Sequence, residues 1–250
     1  MSGRLTCATI ALMVGFGAVT ARADETTLCN AYITTLPYTI TKQGHYCFDR
    51  NLSTAITIGS AINIAADYVV LDLNNFKLGG GAAGDTSSAI GIASVNHRNI
   101  TIRNGNIRGF SSGIVLLDEG NSAGHLIEHN LFDGNLSQAI TVEGDGVVIR
   151  YNRVINTGRP RAVTAVGIDA TGGTAFAHDN FVSNVFGGSA FNQGVRLQFD
   201  QGIAANNVVK FEPGTPNAIG IVADICRGNT VRGAPGNICA HVVDGDAIVP

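Results

Sequence analysis

Short apolar runs alternate along the chain with Asn-, Gly- and Asp-rich punctuation, and the alternation repeats. Aligning LDLNNFKL, TIRNGNIRG, LIEHNLFDG, VIRYNRVIN, AHDNFVSN, AANNVVKF and RGNTVRG puts Asn75, Gly105, Asn130, Asn152, Asn180, Asn207 and Asn229 in one column, with steps of 30, 25, 22, 28, 27 and 22 residues. A recurring unit of this length marks a solenoid. Apolar β-formers such as Ile149, Val154 and Ile155 flank the column, and helix-type spacing is hard to find. Asn and Gly tolerate the left-handed backbone of a sharp turn, so the column reads as a turn position. Asn side chains one coil apart can also bond in a ladder at the strand spacing of about 4.8 Å. Such a ladder satisfies polar groups that burial would otherwise leave unpaired.

Each unit carries two clear strand segments and a short third. The first is Ala61-Ile62-Asn63-Ile64, matched by triplets centred on Gly91, Val115, Thr141, Gly167, Arg196 and Gly220. Alternation turns the outer residues of each triplet inward and the central one outward. Three short strands and three turns per unit, stacked in parallel, predict an all-β, single-stranded right-handed parallel β-helix of about seven coils plus caps. A leucine-rich repeat is excluded by the missing LxxLxLxxN pattern. The expected organisation is a signal peptide at 1–23, an N-terminal cap at 24–60, the β-helix at 61–240 and a C-terminal tail at 241–250.

The signal peptide rests on Arg4, the apolar run from Thr6 to Thr20 and the Ala21-Arg22-Ala23 cleavage pattern before Asp24. The run is shorter than the roughly 20 residues of a membrane span. A secreted or periplasmic protein is therefore expected, with no membrane span, as a monomer. Export removes Cys7 and leaves Cys29, Cys47, Cys226 and Cys239, an even count that reads as disulfides. Three pairings are open. The near-neighbour scheme, Cys29–Cys47 and Cys226–Cys239, would staple the two ends, where a repeat stack frays. Formal net charge is −3, with no basic patch, so nucleic acid is not an expected partner.

The segments INIAADYVVLDLNNFKLGG and NITIRNGNIRGFSSGI resemble those of exported parallel β-helix proteins of the broad pectate-lyase-like superfamily. The resemblance implies a polysaccharide partner held on the outer face of the stacked strands. It transfers no catalytic residue: Asn-Thr-Asp, Gly-His-Gly, Arg-Ile-Lys and Asp-Pro-His are all missing, and the chain has no Trp.

Read with the alternation, the outward positions gather Glu143, Asp169 and Arg196 as candidate catalytic residues, with Gln198, Asp145 and Asp200 as candidate substrate contacts. Two carboxylates one coil apart would repel, raising one pKa, or would recruit a cation such as Ca²⁺. Arg196 would then meet a substrate carboxylate in bidentate fashion. The expected activity is that of a polysaccharide lyase on uronate-containing glycan. The alternative is a non-catalytic β-helix that binds glycan or serves as a surface module, the same acids then being a solvated face around one salt bridge. A second set, Arg103, Glu128 and Arg150, reads as a self-complementary stack beside the Asn column; His129 and Tyr151 flank it, and read equally as groove lining or as turn surface.

Overall fold

The structure, a computed structural model, describes residues 29–159, 164–188, 191–197, 201–243 and 247–249. The expected signal peptide, Gln198 and Asp200 lie outside them. The chain forms a parallel β-solenoid of about seven turns. Among the described residues, one short helical turn, Gly81–Ala83, sits among 26 strands. Each coil runs through three faces, and every pairing in the ladders is parallel, for example Ser112–Leu117 on Gln138–Glu143. The third face is a separate nine-stranded sheet. Residues before the first expected coil are already in register with it: Tyr38–Ile40 pairs with Ser60–Ile64, and Gly44–Phe48 with Val69–Asp72.

The core consists of three apolar columns. On the first face Ile62, Ile92, Ile114, Ile140, Ile168, Val195 and Ile221 stack in register. The second face contributes Leu71, Ile102, Ile127 and Ile149, and the third Leu78, Ile107, Phe132, Val154, Val182 and Val209. All of these are at most 1% exposed. Because each coil buries its apolar edge only on its neighbours, the stack is stable only as several coils together.

The register corrects the outward triplets on three coils. Gly91, Gly167 and Gly220 do not face out. They lie in an inward column with Ala61, Gly113, Ala139 and Gly194. A Cβ at Gly113 would stand 2.8 Å from the Phe132 ring, and one at Gly167 2.7 Å from Val182. Large side chains from the third face fill this space, so the first face must be small there. The residues that match Val115, Thr141 and Arg196 on these coils are Ala93, Asp169 and Val222, two places on. The glycines stand in their place in the sequence pattern because Ser94, Ala170 and Ala223, not branched apolar residues, follow the true outward positions.

The Asn column holds as a ladder, with a second correction. Asn130, Asn152, Asn180, Asn207 and Asn229 are at most 2% exposed. Each Oδ1 from Asn152 onward accepts the backbone N–H of the preceding Asn, at 2.9–3.1 Å. The Nδ2 groups donate to carbonyls inside the turn, such as Asn152 to Ile127 at 2.8 Å. Asn75 is itself left-handed, with φ of 64°, but from Gly105 onward the left-handed residue is the one before the column: Asn104, His129, Tyr151, Asp179, Asn206 and Gly228 have φ of 54–63°. The ladder Asn turns its side chain inward, and its neighbour makes the bend.

Both disulfides follow the near-neighbour scheme, Cys29 with Cys47 and Cys226 with Cys239. One closes the first described strands and the other the last coils.

Candidate functional site

On the first face, the strands Gln138–Glu143, Ala165–Thr171 and Asn192–Leu197 carry the sequence candidates. Asp169 stands directly opposite Arg196 on the next coil, not opposite Glu143, which faces Thr171. Arg196 Nε donates to Asp169 Oδ1 at 2.7 Å, and its Nη2 donates to Oδ2. The pair is bidentate, and the Asp169 side chain is 4% exposed. The hydrogen bonding to Asp169 first, opposed by burial and aided by the Asp169 charge, holds the Arg196 pKa above the usual guanidinium value.

The neighbouring acids are similarly engaged. Glu143 Oε2 accepts the Asp118 N–H at 3.0 Å. Asp118 Oδ1 accepts the N–H groups of Gly120, Asn121 and Ser122 at 2.7–2.8 Å. Those bonds, Ser122 first, hold its carboxyl below the usual range. Asp145 Oδ1 takes the Thr174 hydroxyl at 2.6 Å and its N–H at 2.9 Å, which lowers its pKa likewise. The structure thus brings Glu143, Asp169 and Arg196 to one face but commits each to an internal partner. Among the described residues, no three of these acids converge closely enough to share a metal ion; the one such cluster is Cys29, His45 and Cys47, whose sulfurs form a disulfide.

Behind it lies a buried Ser122–His125 pair, with Ser122 Oγ 2.7 Å from His125 Nε2. His125 Nδ1 faces the Ile100 N–H, and Ser122 Oγ donates to the Glu143 carbonyl at 2.9 Å. This network assigns the proton to Nε2, so the imidazole donates to the hydroxyl and does not activate it. Burial first, opposed by the Asp118 charge, lowers the His125 pKa to about 4.

The second face is different. One outward row runs Leu126, Val148, Phe176, Ile203 and Ile225, an apolar strip across five coils. It opens into a groove of about 450 Å³ with Thr174, Gln201 and Asp224 at its rim. The next row runs Asp72, Arg103, Glu128, Arg150, His178, Ala205 and Arg227. Here Arg103 pairs with Asp72 at 2.8 Å and Arg150 with Glu128 at 2.8 Å, so the expected Arg–Glu–Arg stack resolves into two ion pairs. His178 Nδ1 lies 2.7 Å from Asp179. Arg227 is exposed and has no acidic partner among the described residues, and the small, buried Ala205 stands between it and His178 in the row.

The turn beyond this row presents rings. His129 and Tyr151 stack at 5.1 Å, Tyr151 meets His178 edge-on at 5.6 Å, and His178 stacks on Phe176 at 4.4 Å. Tyr151 is 48% and Phe176 37% exposed. His129 and Tyr151 occupy left-handed positions that other coils fill with Asn, Asp or Gly, residues that adopt this backbone at lower cost. The sequence signal was present in that substitution of residue type, but it becomes visible only once the left-handed position is located one residue before the Asn column.

No known family pattern matches the chain, and no curated protein matches it. Among solved structures, it is similar to DFA-IIIase from Arthrobacter chlorophenolicus A6. A cysteine-to-alanine mutant in complex with DFA-III is 14% identical with a TM-score of 0.41, covering 82% of this chain and 64% of that one. The same enzyme in complex with GF2 is 13% identical with a TM-score of 0.39, covering 82% and 63%. This chain thus spans less than two thirds of those chains. Likeness at this level carries no statement about activity.

Proposed function

We propose that the protein is an exported glycan-binding β-helix whose working surface is the second face. The observation that supports this most is the pair of bulky rings, His129 and Tyr151, held at left-handed positions on consecutive coils. Backbone strain of this kind persists where a function keeps it. Together with Phe176 and the apolar groove, the rings offer flat, half-exposed surfaces on which the apolar faces of sugar rings stack. The strip runs along the solenoid axis, which suits an extended polymer. Arg227, without an acidic partner among the described residues, favours a glycan with carboxylates. Two disulfides and the expected signal peptide support export.

The test is calorimetric titration with oligogalacturonate and with a neutral oligosaccharide of equal length. Phe176→Ala is expected to weaken binding of both about tenfold, equivalent to ~1.4 kcal/mol. Arg227→Gln is expected to weaken only the acidic ligand. Binding unaffected by either change would sink the proposal.

The lyase reading has one observation in its favour. Asp179 orients His178 so that Nε2 is left as a proton acceptor, beside the Tyr151 hydroxyl-bearing ring. Appearance of unsaturated product from polygalacturonate, abolished by His178→Gln, would make the protein an enzyme and move the chemistry away from Glu143, Asp169 and Arg196.

A further inference from the structure

A second polar cleft, of about 300 Å³, lies on the third face near the N-terminal end, away from the aromatic strip. Its floor is a single outward row across four coils: Ser53, Gly79, Arg108 and Asp133. Lys77 flanks Gly79 on the same strand, Lys77–Gly79. At Gly79 the missing side chain matters. A Cβ there would stand 2.9 Å from Ser53 Oγ and 3.5 Å from Lys77 Cε. The hydroxyl and the lysine stem therefore converge on space that only glycine leaves open, and Arg108 stands opposite on the next coil. Gly81 and Gly134 also line the cleft, and a Cβ on either would meet nothing within 4 Å.

The charges do not balance. Among the described residues, Asp133 is the one acid lining the cleft, and it is already engaged by Arg108 Nη2 at 3.3 Å and Asn156 Nδ2 at 3.0 Å. Lys77 has no acidic partner among the described residues, although its backbone N–H is tied to Asn51 at 2.8 Å, which fixes its strand. Arg108 and Asp133 offset one another, so Lys77 leaves the cleft with one net positive charge beside the Ser53 hydroxyl. We propose that this cleft binds an oxyanion group carried on a sugar-sized molecule, with Lys77 neutralising the charge, Arg108 offering the N–H groups that Asp133 does not occupy, and Ser53 donating to a third oxygen. The volume is about ten times the roughly 30 Å³ share of one water, so a bare ion would leave most of it empty. Farther along the same row Ile155 replaces the charged residues, which confines the site to the first coils. The proposal does not depend on glycan binding at the second face.

The experiment is NMR titration of the full-length exported protein with inorganic phosphate, inorganic sulfate, glucose 6-phosphate, glucose 6-sulfate, glucuronate and glucose. The anionic sugars are expected to shift the amides of residues 77–82 and 106–109 and to bind at least tenfold more tightly than glucose. The three anionic sugars separate phosphate, sulfate and carboxylate as the natural group. Lys77→Gln, a change at a half-buried outward position, is expected to cut affinity about fivefold or more, and raised salt to do the same. Ser53→Ala reports the hydroxyl. Anionic sugars that bind no better than glucose would overturn the proposal. So would a Lys77→Gln variant, with unchanged melting temperature, that binds like wild type.

Discussion

Replacing Asn152 with Leu tests whether the Asn ladder holds the coils together. Leu matches the apolar surroundings and the rough volume, so what is lost is hydrogen bonding. Asn152 Nδ2 serves the carbonyls of Ile127 at 2.8 Å and Arg150 at 3.0 Å, and its Oδ1 accepts the Asn130 N–H at 3.0 Å. The site is 2% exposed, so water does not replace them. Each buried group left without a partner costs about 1–3 kcal/mol. With two to three such groups, roughly 3–5 kcal/mol is lost, a large share of the usual 5–15 kcal/mol. For a chain of this length, about 2–4 °C per kcal/mol puts the fall in melting temperature near 10 °C. The assay is thermal unfolding with disulfides intact, paired with amide hydrogen exchange, because repeat stacks open locally. Protection should fall first at Ile127 to Asn130 and at Arg150 to Arg153. A variant within about 0.5 kcal/mol of wild type, with exchange unchanged, would refute the ladder's role.

Tyr151→Asn should separate binding from folding: Asn suits the left-handed backbone, so stability should hold or rise by up to about 1 kcal/mol while glycan affinity falls; a fall in melting temperature would contradict the strain argument. His125 has a folded pKa of about 4 against 6.5 unfolded, so its stabilising contribution is complete above pH 6.5 and is lost as pH falls toward 4, roughly 3 kcal/mol in all. Denaturant midpoints from pH 7.5 to 4 should therefore drop more steeply in wild type than in His125→Gln, and parallel curves would rule this out. Asp169→Asn should cost about 1–3 kcal/mol, since Arg196 loses its buried counter-charge, and should leave glycan binding unchanged if the second face is the site; abolished binding at unchanged stability would return the site to the first face.

The period and strand type of this chain were legible because burial imposes them: a residue column that repeats at 22–30 residues can only be stacked. The disulfide staples were legible for the same reason, since each pair lies near one end. The register was not. Ile90 and Ile92 bracket Gly91 as plausibly as Ile92 and Ser94 bracket Ala93, and only the side chains arriving from the third face decide between them. That two-residue slip hid the Asp169–Arg196 pair and made an internal ion pair look like a shelf for substrate. The aromatic strip needed the fold as well, because Tyr151 and His129 become informative only once their backbone is known to be left-handed.

The glycine column of the first face carries a consequence for how such a molecule changes over time. Gly91 fits Phe110, Gly113 fits Phe132, Gly167 fits Val182 and Gly194 fits Val209, and in each case both members belong to the same coil. Only part of the fit between narrow and wide is made inside one turn, because a Cβ at Gly91, Gly113 or Gly167 would first meet a carbonyl oxygen of the next coil at 2.5–2.6 Å, and one at Gly80 would meet the Phe110 ring of the next coil at 2.5 Å. A coil copied or excised whole keeps its internal match, but its new neighbours must also be narrow at this position. Lengthening by gene duplication should therefore proceed in whole turns, and should succeed where the turns brought together both carry Gly or Ala in this column.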